Sequence, residues 1–470
     1  MNAINYDRKM TDAEGLMWRL EADPHLSSTF AAVSMLDTMP DIDQLRHRLE
    51  RAAQVMPRLR QVVRTVPGNL APPTWVDDPE FSIDHHIHHV ALPAGSSERA
   101  LLDLASLITV DPFDVSRPLW QFTVIEGLPD DRAALVQKMH HTIADGESGV
   151  RLSLEYLDLE RHPEPSPGPD TPSDSLDPDR HDHDRSVDDE DAAAAIVRDI
   201  LATSLRVPLG VVRQVRELLA DPSQIPAATA DAADTFRAIA AQLANTDPAR
   251  SPLWTQRSTE RRLDITSAPF AEVKAAATSL GGTMNHAFLT IAADAAARYH
   301  TELGAQVNEL RASMAISTRT KESGANAFSL VRLLIPTSDI AIDERFHEIR
   351  TRAVESLHND HHANIDTLAT FAAALPTGIL TQLARQQAHT VDLATSNVRG
   401  APMELYVAGA QVLGNYAIGP LGGVACNVTL LSYRGRLDMG INTDPAAVSN
   451  ASLLTRCFDD AVSGFVALAD

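Results

Sequence analysis

Residues 133–146 read Ala133-Ala134-Leu135-Val136-Gln137-Lys138-Met139-His140-His141-Thr142-Ile143-Ala144-Asp145-Gly146. The apolar Ala133–Met139 segment predicts a buried strand. Val150, Leu154 and Leu157 recur at helical spacing and predict a helix over Glu147–Leu159. Two adjacent histidines therefore sit at a strand end, and an Asp-Gly pair opens the helix. Successive side chains at a strand-to-loop junction point in different directions. One imidazole can then face a pocket while the other is held by the core. Imidazole titrates near neutral pH, which suits a general base. Asp145 is positioned as a helix N-cap or as an ion-pair partner behind a histidine. Gly146 leaves room for a ligand or an unusual backbone angle. On spacing alone, a catalytic and a structural reading of His140 and His141 both stand.

Working outward, Asp43–Val55 carries apolar residues at helical spacing, and Leu119–Leu128 reads as a second buried strand. The composition changes sharply at residues 161–191. The stretch from His162 to Asp191 holds six prolines, eleven acidic residues, two arginines and almost no large apolar side chain. It cannot bury enough apolar area to offset its ordering entropy and is predicted to be a disordered linker. Residues 192–249 are predicted to form a helical connector. Within it Ala192–Ala220 mixes apolar stripes with Arg198, Arg206, Arg213 and Arg216. That segment either packs on the protein or rests on a lipid surface. From 250 to 470 a second α/β unit follows. Asn285–Tyr299 reads as a helix, Ala312–Ile316 and Leu330–Ile335 as strands, and Gln411–Tyr433 with Arg436–Ile441 as a closing meander. Leu368–Ala384 is uncharged but broken by Pro376 and Gly378, so it reads as a buried helix pair, with a membrane dip as the alternative.

The 470-residue chain has 40 Lys+Arg against 63 Asp+Glu, a net charge of -23. A field of that sign repels polyanions and excludes general nucleic-acid binding. Thirty residues of the linker carry about -9 of it, so the charge does not argue against a lipid surface elsewhere. Two cysteines, Cys426 and Cys457, are too few for a disulfide framework and fit a reducing cytosol. No apolar leader is visible at the N-terminus, and the expected location is cytoplasmic. The histidines of His85-His86-Ile87-His88-His89, of the linker and of the His140-His141 pair match no recognised zinc spacing, so no metal is expected.

The His-His-Thr-Ile-Ala-Asp-Gly stretch matches the HHxxxDG motif of the chloramphenicol-acetyltransferase-like superfamily. Its surroundings narrow the match. Ser116-Arg117-Pro118-Leu119-Trp120, followed by Glu126-Gly127-Leu128, resembles the lead-in of the bacterial wax ester synthase/diacylglycerol acyltransferase family. So do Pro57-Arg58-Leu59-Arg60, Phe81–His86, Gly281–His286, Ala315–Arg319, Ser396–Pro402, Asn427-Val428-Thr429, Ser432–Gly435 and Asp444, in that family's order. In two places the chain departs from it. Asn285-His286 stands where the family has Asn-Asp, and Arg399 stands where it has proline.

The resemblance implies an α/β fold of two chloramphenicol-acetyltransferase-like subdomains, each an α+β two-layer sandwich, with an active-site tunnel between them. The N-terminal subdomain spans 1–160 and the C-terminal one 250–470. The resemblance also implies acyl-CoA-dependent O-acyl transfer to diacylglycerol or a fatty alcohol, giving triacylglycerol or wax ester. His141 is then the general base and His140 mainly structural. Asp145, with Gly146 beside it, pairs with Arg319 to hold the histidine loop. Asn285 bonds substrate or oxyanion, Ser396 and Asn397 line the tunnel, and Leu119 and Trp120 either shape it or pack in the core. Acyl-CoA is a co-substrate and no cofactor is required. The implied partners are the lipid acceptor and a membrane or lipid-inclusion surface. Two alternatives stay open: the same chemistry on a non-lipid hydroxylated metabolite, and a catalytically weak protein that coats lipid inclusions.

Overall fold

A computed structural model describes residues 8–65, 72–143, 149, 152–153, 155–163, 248–317, 328–359 and 375–469. Residues 164–191 of the expected linker, most of the connector, Asp145, Gly146, Arg319 and residues 360–374 lie outside the described residues.

The first half runs α1 (Asp12–Leu20), β1 (Thr29–Leu36), α2 (Ile42–Val55), β2 (Gln61–Arg64), β3 (Thr74–Asp77), β4 (Ile87–Ala91), α3 (Glu98–Val110), β5 (Trp120–Glu126), β6 (Ala133–His140) and β7 (Leu157–Asp158). Thr11 opens α1 with a capping box, Asp41 caps α2 and Ser97 caps α3, so each helix starts where a side-chain oxygen can take its orphan N–H groups. The second half runs β8 (Arg262–Pro269), α4 (Phe270–Ser279), α5 (Met284–Glu302), β9 (Glu309–Ser317), β10 (Phe328–Pro336), α6 (Ile342–Asn359), α7 (Thr377–Ala388), β11 (Leu393–Arg399), β12 (Tyr406–Val407), β13 (Ala410–Ile418), β14 (Cys426–Tyr433), β15 (Arg436–Thr443) and α8 (Ala451–Val466).

The strands form a seven-stranded sheet ordered β4-β5-β6-β1-β13-β12-β7 and a six-stranded sheet ordered β10-β9-β11-β14-β15-β8, with β2 and β3 as a separate pair. Both large sheets are mixed. β4 runs parallel to β5, and β11 runs parallel to β9 and β14. Helices pack on the sheets, so the α/β class holds. Period-two alternation divides the first sheet's side chains between two cores. On β6, Ala133, Leu135 and Met139 face the core shared with α2, while Ala134 and Val136 face the core shared with α3. The six-stranded sheet buries its apolar face against α4, α5, α6 and α8.

α5 is buried around nearly its whole circumference because alanines line it, which lets neighbouring elements approach closely. Its one buried carboxylate, Asp294, is met by Arg298 at 2.6 Å and by the buried Arg345 at 3.3 Å. Removing Asp294 would leave the buried Arg345 charge in the core without its carboxylate.

Two expectations are corrected. The closing segment is not one meander. β13 leaves the second half and pairs antiparallel with β1 in the first sheet, Ala31 opposite Ile418, while β14 and β15 stay in the second sheet. β12 also joins the first sheet, beside β7. The predicted helix over Glu147–Leu159 ends early, because Leu157 and Asp158 pair with Val407 and Tyr406. In both places strand pairing with a distant segment overrides local pattern.

The crossing is tight. A Cβ on Gly440 of β15 would lie 2.2 Å from the carbonyl of Ala417 on β13, so only glycine permits that approach. The Ser-Tyr-Arg-Gly motif gains a physical reason here. Arg434 (φ 47°) and Gly435 (φ 76°) form the two-residue turn joining β14 to β15, with the positive angles a type I′ hairpin needs. The Tyr433 hydroxyl donates to the Val412 carbonyl at 2.9 Å and accepts from the Leu405 N–H at 3.0 Å, stitching the hairpin to the strand that crossed over.

Candidate active site

β6 ends at His140, opposite Thr29 of β1. The chain then turns, with the Ile143 N–H donating to the His140 carbonyl at 2.9 Å and the His141 N–H donating to the Ser28 carbonyl at 3.2 Å. The turn separates the two rings. His140 is 2% exposed. Its Nε2 lies 2.9 Å from Glu21 Oε1, its Nδ1 lies 2.7 Å from Thr142 Oγ1, and the Trp18 ring stands edge-on to it. His141 is half-buried and its ring lies 4.7 Å from that of Phe30. One histidine is thus held by the interior and its neighbour is set apart, as a strand end allows.

A cavity of about 390 Å³ adjoins His140. Trp18, Glu21, Phe113 and Leu119 line it from the first half, and Arg261, Leu421 and Asn442 from the second. It is mostly apolar, with the His140–Glu21 pair as a polar end. Behind the wall, Lys138 is 1% exposed, donates to the Asp111 carbonyl and lies 4.3 Å from the centre of the Phe113 ring. Burial, opposed by the charge of Asp111, lowers the Lys138 pKa to about 8.

The other predicted residues separate into groups. Leu119 is buried and lines the cavity. Trp120 does not line it. It is 2% exposed, stacks on His86 with ring centres 4.3 Å apart, and donates its indole N–H to the Leu59 carbonyl at 2.7 Å. Of its two expected roles it takes the core one, because its ring is enclosed by Phe122, His86 and the Arg58-Leu59 turn. His86 is buried in turn, which lowers its pKa to about 4 and leaves it neutral, with Nδ1 2.8 Å from the Trp120 carbonyl. Phe81, His86 and Trp120 therefore form one aromatic stack, which the Pro57–Arg60 turn holds through the Leu59 carbonyl.

Asn285 and Asn397 come together, although 112 residues apart. Asn397 Nδ2 donates to Asn285 Oδ1 at 2.6 Å. Ser396 sits beside Asn397 on β11, half-buried. His286 serves the helix start: its Nδ1 accepts the Thr283 N–H at 3.2 Å, completing the capping box of α5. A carboxylate at that position would accept the same bond, so the departure from Asn-Asp preserves the cap. Gly400, after Arg399, packs so closely on β14 that a Cβ would lie 2.3 Å from the Ser432 carbonyl. Asp444 accepts from both the N–H and the hydroxyl of Ser258 at 2.6 Å, a structural role. Among the described residues no cluster of His, Cys, Asp or Glu could hold a metal ion.

Sequence reasoning missed Glu21, Ser28 and Thr142. Glu21 meets a histidine 119 positions away, and no local periodicity signals such a pair.

Residues 10–288 match the wax ester synthase/diacylglycerol acyltransferase catalytic domain, and residues 324–464 match the C-terminal domain of the same family. The chain belongs to the wax ester synthase/diacylglycerol acyltransferase family. It is an acyltransferase. A relative in Mycobacterium tuberculosis named as a diacylglycerol O-acyltransferase is 32% identical over 97% of this chain and 91% of its own length. A second relative from that organism with the same activity in its name is 26% identical over 97% and 95%. The solved wax ester synthase/diacylglycerol acyltransferase of Marinobacter aquaeolei VT8 superposes with a TM-score of 0.64 at 20% identity, covering 98% of this chain and 99% of that one. A trichothecene 15-O-acetyltransferase from Fusarium sporotrichioides superposes with a TM-score of 0.61 at 12% identity, over 98% and 94% of the two chains. These likenesses extend the fold assignment over both halves.

Proposed function

We propose that this acyltransferase moves a long-chain acyl group from acyl-CoA to the hydroxyl of diacylglycerol or a fatty alcohol, giving triacylglycerol or wax ester. His141 is the general base. The observation that carries the reading is the His140-His141 pair where β6 ends, with His140 lining a largely apolar cavity bounded by both halves. His141 takes the alcohol proton as the oxygen attacks the thioester carbonyl. The tetrahedral intermediate then collapses, and the departing CoA thiolate recovers that proton from the imidazolium. Both substrates meet in one tunnel, so no acyl-enzyme is needed. With its oxygen bonded to Asn397, Asn285 has its amide N–H groups left to meet the developing oxyanion. Acyl-CoA is a co-substrate, and the steps call for no cofactor or metal.

The test is incubation of the protein with labelled hexadecanoyl-CoA and either diacylglycerol or hexadecanol. Thiol release matched by labelled ester is the expected result. Thiol release and ester formation only with a non-lipid hydroxylated acceptor would move the acceptor class. Lipid binding with no turnover would support the inclusion-coat reading instead. Among the described residues no helix is long and apolar enough to cross a membrane. We read the chain as cytoplasmic and peripheral at a lipid surface, which predicts co-sedimentation with diacylglycerol-containing vesicles in the same preparation.

A further inference from the structure

Glu21 sits where local rules disfavour it. It is the C-cap of α1, so its carboxylate stands at the negative end of that helix's dipole. Its tertiary partners account for the position. The carboxylate accepts from His140 Nε2 at 2.9 Å and from the Ser28 N–H. The Thr142 N–H points at His140 Nδ1 from 3.2 Å. A backbone N–H can only donate, so Nδ1 presents its lone pair and the ring proton resides on Nε2. The same Ser28 whose N–H is taken by Glu21 offers its carbonyl to the His141 N–H at 3.2 Å. One carboxylate therefore holds the His140 ring directly, and it holds the backbone of His141 through a single intervening residue.

We propose that Glu21 is a positioning residue for the histidine pair: its carboxylate fixes the His140 tautomer and, through Ser28, the strand end from which His141 projects. The assignment rests on His141 being the base of the acyl-transfer reading. Burial raises the Glu21 pKa. The hydrogen bond and charge of His140 lower it, as do the Ser28 N–H and the Ser27 hydroxyl, and the net shift is downward. A carboxylate with a depressed folded pKa stabilises the fold above its unfolded pKa, and that contribution is lost as pH falls through the folded value. The clamp is thus closed at neutral pH. His140 is the titratable group that meets Glu21, while Asp111 and Arg261 face the same cavity.

The experiment compares wild type, Glu21→Gln and Glu21→Ala in kcat and KM with hexadecanoyl-CoA and diacylglycerol between about pH 6 and pH 9. In parallel, proteins labelled with 15N-histidine report the His140 tautomer by NMR. Glu21→Ala is expected to lower kcat roughly 10- to 100-fold while KM changes little. Glu21→Gln keeps an acceptor oxygen and recovers most of kcat. It also removes a negative charge near the base, so the pH at which the rate rises moves down. The tautomer is expected on Nε2 in wild type and mixed in Glu21→Ala. A folded Glu21→Ala with unchanged kcat, a loss confined to KM, an unmoved pH profile in Glu21→Gln or an unchanged tautomer would each overturn the assignment. If Glu21→Ala fails to fold, the Glu21→Gln profile decides. If wild type makes no ester from these substrates, the acyl-transfer reading fails, and the tautomer alone decides the Glu21–His140 clamp.

Discussion

His141→Ala is expected to lower acyl transfer by roughly 10²–10⁴-fold with the fold intact, the range a general base contributes. The two halves of that expectation come from different observations. Activity falls because the imidazole that would take the alcohol proton is gone. Stability holds because the bond from His141 to Ser28 that orders the turn is made by the backbone N–H, and alanine keeps that N–H. The ring contact with Phe30 is lost, but at a half-buried site. His140→Ala makes the contrast. It removes a 2%-exposed ring bonded at both nitrogens, and it leaves the Glu21 carboxylate without its imidazole partner. That variant is expected to lose stability as well as rate. Initial rates with labelled acyl-CoA, taken beside urea unfolding curves, separate the two. Near-normal turnover by purified His141→Ala would sink the base assignment.

Asp392→Ala is expected to be the most damaging single change to stability among those considered. Asp392 is fully buried and accepts three backbone N–H groups: Ser251 at 2.7 Å, Arg250 at 3.1 Å and Arg311 at 2.7 Å. It thereby fastens the segment that enters the second half to β9. Alanine would orphan the buried donors of Ser251 and Arg311, at about 1–3 kcal/mol each. The expected loss is then about 2–6 kcal/mol against a typical total of about 5–15 kcal/mol. Asp392→Asn keeps one acceptor oxygen and should fall between. The measurement is the urea midpoint with the slope unchanged. A midpoint within error of wild type for Asp392→Ala would show that water or a backbone shift replaces the carboxylate.

Much of the fold was legible from residues alone. The strand over Ala133–Met139, the helix over Asn285–Tyr299 and the two strands that follow it are read from apolar runs and helical spacing, and the observed elements differ from these by a few residues at each end. The ordered motifs carried the family. They did not carry their own reasons. The Phe81–His86 stretch turned out to hold a neutral histidine in an aromatic stack, and Ser-Tyr-Arg-Gly a hairpin turn tied to a strand from the other sheet. Trp120 shows the limit most plainly. Its place beside Leu119 in a family motif left tunnel and core both open; Leu119 reaches the cavity wall, whereas the Trp120 ring is closed in by His86 and Phe122.

The sequence by itself determined the elements, the histidine pair at a strand end and the family, because caps, periodicity and motif order are written within a few residues of one another. Only the tertiary structure decided that β13 crosses into the first sheet, that Asn285 meets Asn397, and that Glu21 closes on His140. Each of those contacts joins residues more than a hundred positions apart. A single hydrogen bond among them is worth about 1 kcal/mol. A bond that small leaves no local pattern, and the packing of the whole molecule selects it.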